Sequence, residues 1–229
     1  MKNIIYTYTA LILISCSAVK TEPTVGFAEK YAKTITQQDL KEHLYIYASD
    51  EFEGRNTGEP GQKKAVKYLK EFYISKNIVS PFGNKDYFQE IPSAYLSNNK
   101  RGLKIKDSEN VLAFIKGSEK PDEIVIISAH LDHLGVEGGE IHNGADDDGS
   151  GTVAILEIAE AFKKAEKEGN GPKRSILFLH VTGEEKGLLG SSYYTENPIF
   201  PLANTVTDLN IDMVGRVDEN HKKTIITYI

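Results

Sequence analysis

Apolar and polar positions are patterned differently in the two halves of the chain. From Glu123 onward, short unbroken apolar runs are separated by helical stripes. Ile124-Val125-Ile126-Ile127 is one such run, and Ile176-Leu177-Phe178-Leu179, opened by Ser175, is another. Strands buried on both faces read this way, and they belong to sheets covered by helices on each side. Between these runs, residues 151–167 carry Val153, Leu156, Ile158, Ala159 and Phe162 at helical spacing. A helix over 188–196, stopped by Pro198, leads to further strands at 206–213 and 224–229. Upstream, Thr36 and Asp39 make a Thr-x-x-Asp start, and Leu40, Leu44 and Tyr47 follow at helical spacing. Residues 51–58, with Gly54 and Gly58, read as a loop. Pro60 opens a helix to Lys76 with Ala65, Val66, Leu69, Phe72 and Tyr73 on one stripe. Strand-like runs at 87–91 and 110–116 flank a polar stretch, 97–107, that reads as a hairpin or an exposed loop. Strands alternating with helices predict an α/β fold: a three-layer αβα sandwich with a mixed, mostly parallel sheet.

The first residues depart from this pattern. Lys2 precedes an apolar stretch over 4–14, and Leu13-Ile14-Ser15-Cys16 closes it. The stretch is too short to span a bilayer, which takes roughly 20 residues. It resembles a bacterial lipoprotein signal over residues 1–16, with the chain's one cysteine lipidated. That resemblance implies an exported protein anchored to a membrane, on its periplasmic or cell-surface side. Residues 17–35 then read as a tether and 36–229 as the domain. A lone thiol excludes an intramolecular disulfide. A formal net charge of −6 counts against nucleic acid as a partner.

Four segments set acids or a histidine where a strand would end, which is where sites form in such sheets. His130 and Asp132 lie two apart on extended chain, so both side chains can face one way. A carboxylate so placed can hold the imidazole in one tautomer. Alone, the pair reads as a loop ion pair, and His133 as a bystander or a partner to a ligand. Asp146-Asp147-Asp148 precedes the helix at 151 between glycines. Acids cap helix N-termini, but one suffices for a cap, so three suggest a metal loop. Glu184-Glu185 follows the strand at 175–179, and adjacent carboxylates there repel unless a cation is present. One can bind metal while its neighbour moves protons. Asp212 ends the strand at 206–213.

Taken together, His130-Leu131-Asp132, the run Gly144 to Gly151, Gly183-Glu184-Glu185 with Gly187-Leu188-Leu189-Gly190-Ser191, and Asn210-Ile211-Asp212-Met213 resemble metallopeptidase family 28. These are two-zinc exopeptidases that include aminopeptidases and glutamate carboxypeptidase relatives. Ser49-Asp50-Glu51-Phe52-Glu53-Gly54-Arg55 and Asn110-Val111-Leu112-Ala113 look similar too. The resemblance implies that His130 and Glu185 bind one zinc, Asp212 the other, and Asp147 both. Glu184 would be the general base, Asp132 would orient His130, and a cis peptide would follow Asp147. The implied activity is removal of N-terminal residues from peptides by a water shared between the zinc ions. A carboxypeptidase-type or glutaminyl-cyclase-like enzyme, or a truncated binding module without catalysis, are the alternatives.

One family ligand lacks a match. The second zinc of the family takes a further His well downstream of the Asp212 position. Here only His221 follows, in a polar Asp-Glu-Asn-His-Lys-Lys turn. The expectation is therefore one complete zinc site and part of another, in a chain that is C-terminally incomplete. His142, in the loop before Asp147, is the better substitute donor. His180, on a buried strand, reads as a core residue.

Overall fold

The computed structural model describes residues 25–83 and 86–217. Cys16, His221 and the strand expected at 224–229 lie outside the described residues. In chain order the elements are α1 (Val25–Ala32), α2 (Gln37–Tyr47), α3 (Pro60–Lys76), β1 (Phe88–Ile91), α4 (Ser93–Leu96), β2 (Ser108–Ile115), β3 (Lys120–His130), β4 (Gly135–Glu137), β5 (Glu140–His142), α5 (Gly151–Lys167), β6 (Arg174–Val181), α6 (Leu189–Glu196) and β7 (Thr205–Asn210). The main sheet has the order β1-β2-β6-β3-β7. Strands β6, β3 and β7 run parallel, while β2 is antiparallel to both β1 and β6.

Side-chain parity explains the unbroken apolar runs. On β6, Ile176 and Phe178 enter one core with Ile127 and Ala129 of β3 and Val153 and Leu156 of α5. Leu177, Leu179 and Val181 enter a second core with Ile124, Ile126 and Tyr194 of α6. Successive residues on a strand point to opposite faces, so both sets must be apolar when both faces are covered. The three layers expected from the sequence are present. Thr36 caps α2 as its motif predicts, its hydroxyl oxygen accepting from the Asp39 N–H at 3.1 Å.

Three segments add to expectation or differ from it. Residues 25–32 are helix rather than tether, and α1 docks on the end of α5, where the Tyr31 hydroxyl donates to Glu168 at 2.8 Å. The stretch 97–107 is a mostly exposed loop, the second of its two readings, but with one buried anchor: Ser97 and Asn99 bond to Ile105 and Leu103, and Ile105 packs with Ile91 and Leu96. A small hairpin, β4–β5, sits between β3 and the aspartates, its three-residue strands too short to show a period.

His180 is a core residue, as the sequence suggests. It is fully covered, and its Nε2 lies 2.7 Å from the Tyr73 hydroxyl. Burial pushes its pKa down to about 3. The unfolded chain protonates near the ordinary 6.5, so this group costs no stability above that pH. Below it, stability is lost progressively, by up to ~1.4 kcal/mol per pH unit. The His180→Gln variant is expected to lose less unfolding free energy than the parent between pH 6.5 and 4.5. Parallel losses in chemical denaturation at the two pH values would refute this assignment.

Candidate metal centre

Strand register builds the site. Val181 pairs with His130, and Asn210 pairs with Ser128, so the next step along β3 and β7 brings Asp212 abreast of His130. All three parallel strands end on one side, and Glu184 and Glu185 follow β6 there. A wide turn, Ala145–Ser150, carries the aspartates over the end of β3 and into α5.

His130 is buried, with Nδ1 at 3.0 Å from the Asp132 backbone carbonyl. A carbonyl only accepts, so the proton is assigned to Nδ1, and Nε2 faces the acids. Nε2 lies 3.0 Å from Asp147 Oδ1 and 3.9 Å from Asp212 Oδ1. The geometry differs from the pairing that the resemblance implies: His130 groups as a candidate ligand with Asp148 and Asp212, and its Nε2 also approaches Asp147. Glu185 stands instead with Asp147 and His133, its Oε1 2.7 Å from His133 Nδ1. The reason is register, since Asp212 is level with His130 whereas Glu185 lies four residues past its β6 neighbour.

Asp132 also differs in detail. Its backbone carbonyl, not its carboxylate, is the nearer partner of His130, the Nδ1–Oδ1 distance being 3.8 Å. The carboxylate instead accepts from the Thr57 hydroxyl at 2.8 Å and from the Glu184 N–H at 3.1 Å. It thus anchors the backbone of the very residue expected to carry protons.

The three aspartates divide their work. Asp147 faces the histidines, and the Asp147–Asp148 peptide is cis, as the resemblance implies. Asp146 accepts from the Gly215 N–H at 2.9 Å and lies 3.5 Å from Arg216 Nε. Asp148 is fully buried and accepts from the N–H groups of His130, Gly151 and Met213, at 3.2, 2.8 and 3.3 Å. One carboxylate so ties the ends of β3 and β7 to the start of α5. A Cβ on Gly151 would come within 2.3 Å of Asp148 Oδ1, so only glycine fits. Sequence reasoning missed this brace, although the capping habit of acids before a helix pointed to it.

Arg55 was missed as well. It is fully buried, and its guanidinium donates to the carbonyls of Leu131, Tyr47, Asn143 and Gly144 at 2.8–3.2 Å. It joins the end of β3 to the loop that leads into the aspartates. Its position within a resembling stretch was the only sequence signal. His142 belongs to neither group of candidate ligands formed among the described residues.

The donor set fits a divalent cation. Two imidazoles, His130 and His133, and four carboxylates, Asp147, Asp148, Glu185 and Asp212, form the two candidate ligand groups, and no lysine or arginine side chain is paired to any of the four among the described residues. Glu185 Oε1 and His133 Nδ1 are shielded from solvent and make no hydrogen bond. Mixed nitrogen and carboxylate donors suit zinc. Burial raises the Glu184 and Glu185 carboxyls; His130 opposes the rise, and neighbouring acids add to it. Burial alone would lower His130, but Asp132, Asp148, Glu184 and Asp212 outweigh it and raise it. Burial pushes Asp148 up to about 7 against the pull of His130.

Protons and a cation compete for such atoms. A raised pKa keeps the proton bound to higher pH, so zinc affinity is full above that range and is lost as pH falls through it. Titration at pH 5.5 is expected to give at least ~10-fold weaker zinc binding than at pH 7.5. Equal affinities would rule out these groups as the ligands.

The sheet order, the strand-end site and the mixed imidazole and carboxylate donors are those expected of a zinc exopeptidase fold. The family model for peptidase family M28 matches residues 110–227, and the chain belongs to that family. Over 113 residues it is 39 % identical to the rat protein "Aminopeptidase NAALADL1", covering 48 % of this chain and 14 % of the rat protein. A "Probable glutamate carboxypeptidase LAMP1" of Arabidopsis thaliana is 37 % identical over 105 residues, covering 45 % of this chain and 14 % of the plant protein. The chain thus spans only a small part of these curated relatives. Among solved structures, a Zn-dependent exopeptidase from Parabacteroides distasonis superposes with a TM-score of 0.60 at 20 % identity, over 79 % of this chain and 62 % of that one. A glutaminyl cyclase from Porphyromonas gingivalis gives 0.62 at 19 % identity, over 79 % and 60 %. At such identities the likeness concerns the fold.

Proposed function

We propose that the chain is part of a zinc aminopeptidase that removes N-terminal residues from peptides. The observation that carries this reading is the convergence of His130, Asp147, Asp212, Glu184 and Glu185 at the ends of three parallel strands. The rat relative, an aminopeptidase by name, supports the choice among exopeptidases. His130, Asp147 and Asp212 would hold one zinc, and Asp147 with Glu185 the other. Zinc, when bound, supplies Lewis-acid polarisation of the scissile carbonyl and acidifies water. Glu184, adjacent to the ligand Glu185 and anchored through its N–H to Asp132, accepts the proton of the attacking water and passes it to the leaving amine. Its raised pKa suits both halves of that transfer. The leader ending at Cys16 supports export and lipid anchoring as part of the same proposal.

A substrate panel tests the reading. Peptides and amino-acid anilides with free N-termini are expected to be cleaved, and their N-acetylated forms to resist. Release of C-terminal glutamate from acetylated peptides would replace this reading with a carboxypeptidase. Cyclisation of N-terminal glutamine without hydrolysis would replace it with a cyclase.

A further inference from the structure

We propose that His133 is itself a metal ligand, giving its Nδ1 to the ion held by Asp147 and Glu185. The inference rests on the zinc reading above and deepens it. His133 lies three residues beyond His130, past the end of β3, and its N–H donates to the Arg55 carbonyl at 3.4 Å. Its ring lies against Gly144, where a Cβ would stand 2.4 Å from Cγ and 2.5 Å from Cδ2 of the imidazole. Gly144 has φ +52°, and any side chain there would expel the ring. The ring is therefore seated, not swinging.

What the ring faces is the telling point. His133 Nδ1 and Glu185 Oε1 are 2.7 Å apart, closer than most N–H···O pairs, yet the geometry between them is not that of a hydrogen bond. Both atoms are shielded from water and neither has another partner. Two buried polar atoms in contact without a bond are costly unless a third group satisfies both. A carboxylate of Asp147 completes the set, with donor atoms from all three residues within 4.8 Å of one another. Donor atoms gathered this closely are within the span that one divalent cation can collect. The segment His130-Leu131-Asp132-His133 then delivers one imidazole to each of two ions, with Asp147 between them.

Metal binding by the full chain, stripped with chelator and titrated with Zn²⁺ against a chromophoric competitor, tests this. The unmutated protein is expected to take two ions. In His133→Ala the ion at His130 and Asp212 is expected to bind as before, and the other to weaken more than 100-fold. That exceeds the 10- to 100-fold usually lost with an outer partner of a ligand. Two ions bound within threefold of the unmutated affinities would overturn the inference and leave the zinc reading standing. No zinc bound by the unmutated protein would overturn both. A measurement without mutation guards against a misfolded variant. In ¹⁵N-labelled protein loaded with ¹¹³Cd, the His133 Nδ1 signal is expected to show one-bond splitting by cadmium. Two cadmium ions bound with no splitting at that nitrogen would also overturn the inference.

Discussion

Glu184→Gln is expected to lower kcat on peptide substrates by about 10³- to 10⁴-fold, with zinc content and thermal stability unchanged. General acid–base catalysis by one positioned group contributes about 10²–10⁴-fold, and in the mechanism proposed above one carboxylate serves both proton transfers. Glutamine has the same shape and keeps the backbone N–H that Asp132 holds at 3.1 Å, so the local chain is preserved. What it lacks is the ability to accept a proton. Because the side chain acts on protons rather than on substrate binding, KM should move little. Activity above a tenth of the parent level would sink the assignment of Glu184 as base. Loss of zinc in the variant would instead make Glu184 a ligand and transfer the proton role elsewhere.

The parts of the fold that depend on local pattern were legible in the chain. Residues 124–127 and 176–179 are apolar at every position because both sheet faces are covered, and this made β3 and β6 plain. The placement of His130, Glu184 and Glu185 at or just past strand ends followed from those runs, and that of Asp212 from the strand read at 206–213. What was not legible depends on neighbours in the sheet. Whether His130 stands with Asp212 or Glu185 is decided by the register of β7 against β3, which no one-dimensional pattern carries. The same holds for His133: three residues beyond His130 on irregular chain, its direction is set by Gly144 and Arg55 rather than by a strand period. Helix α1 was hidden for a different reason. At eight residues it is too short to be stable alone, and α5 supplies the surface that holds it.

Arg55→Ala is expected to cost about 3–5 kcal/mol of stability, because it breaks a buried polar network at its hub. The guanidinium satisfies four backbone carbonyls on three separate segments, and its carbon lies 4.6 Å from the centre of the Tyr47 ring. Two of these carbonyls have a second donor: Leu131 accepts from the Tyr47 hydroxyl and Gly144 from the Gly149 N–H, both at 3.0 Å. Truncation therefore leaves the Tyr47 and Asn143 carbonyls without the guanidinium that serves them, each at ~1–3 kcal/mol before relaxation. It also removes a fixed positive charge from beside a cluster of carboxylates, which makes the metal-free site more repulsive. For a chain of this size a loss of this magnitude lowers Tm by roughly 10 °C. Lysine is not a substitute, since its single ammonium cannot span carbonyls that a planar fork reaches together. Arg55→Lys is thus expected to recover less than half of the loss. Zinc should restore part of the Tm of both variants, because the ion replaces the missing positive charge and binds only the folded chain. A Tm within 2 °C of the parent for Arg55→Ala, measured without metal, would show that the loop into the aspartates is held by something other than this side chain.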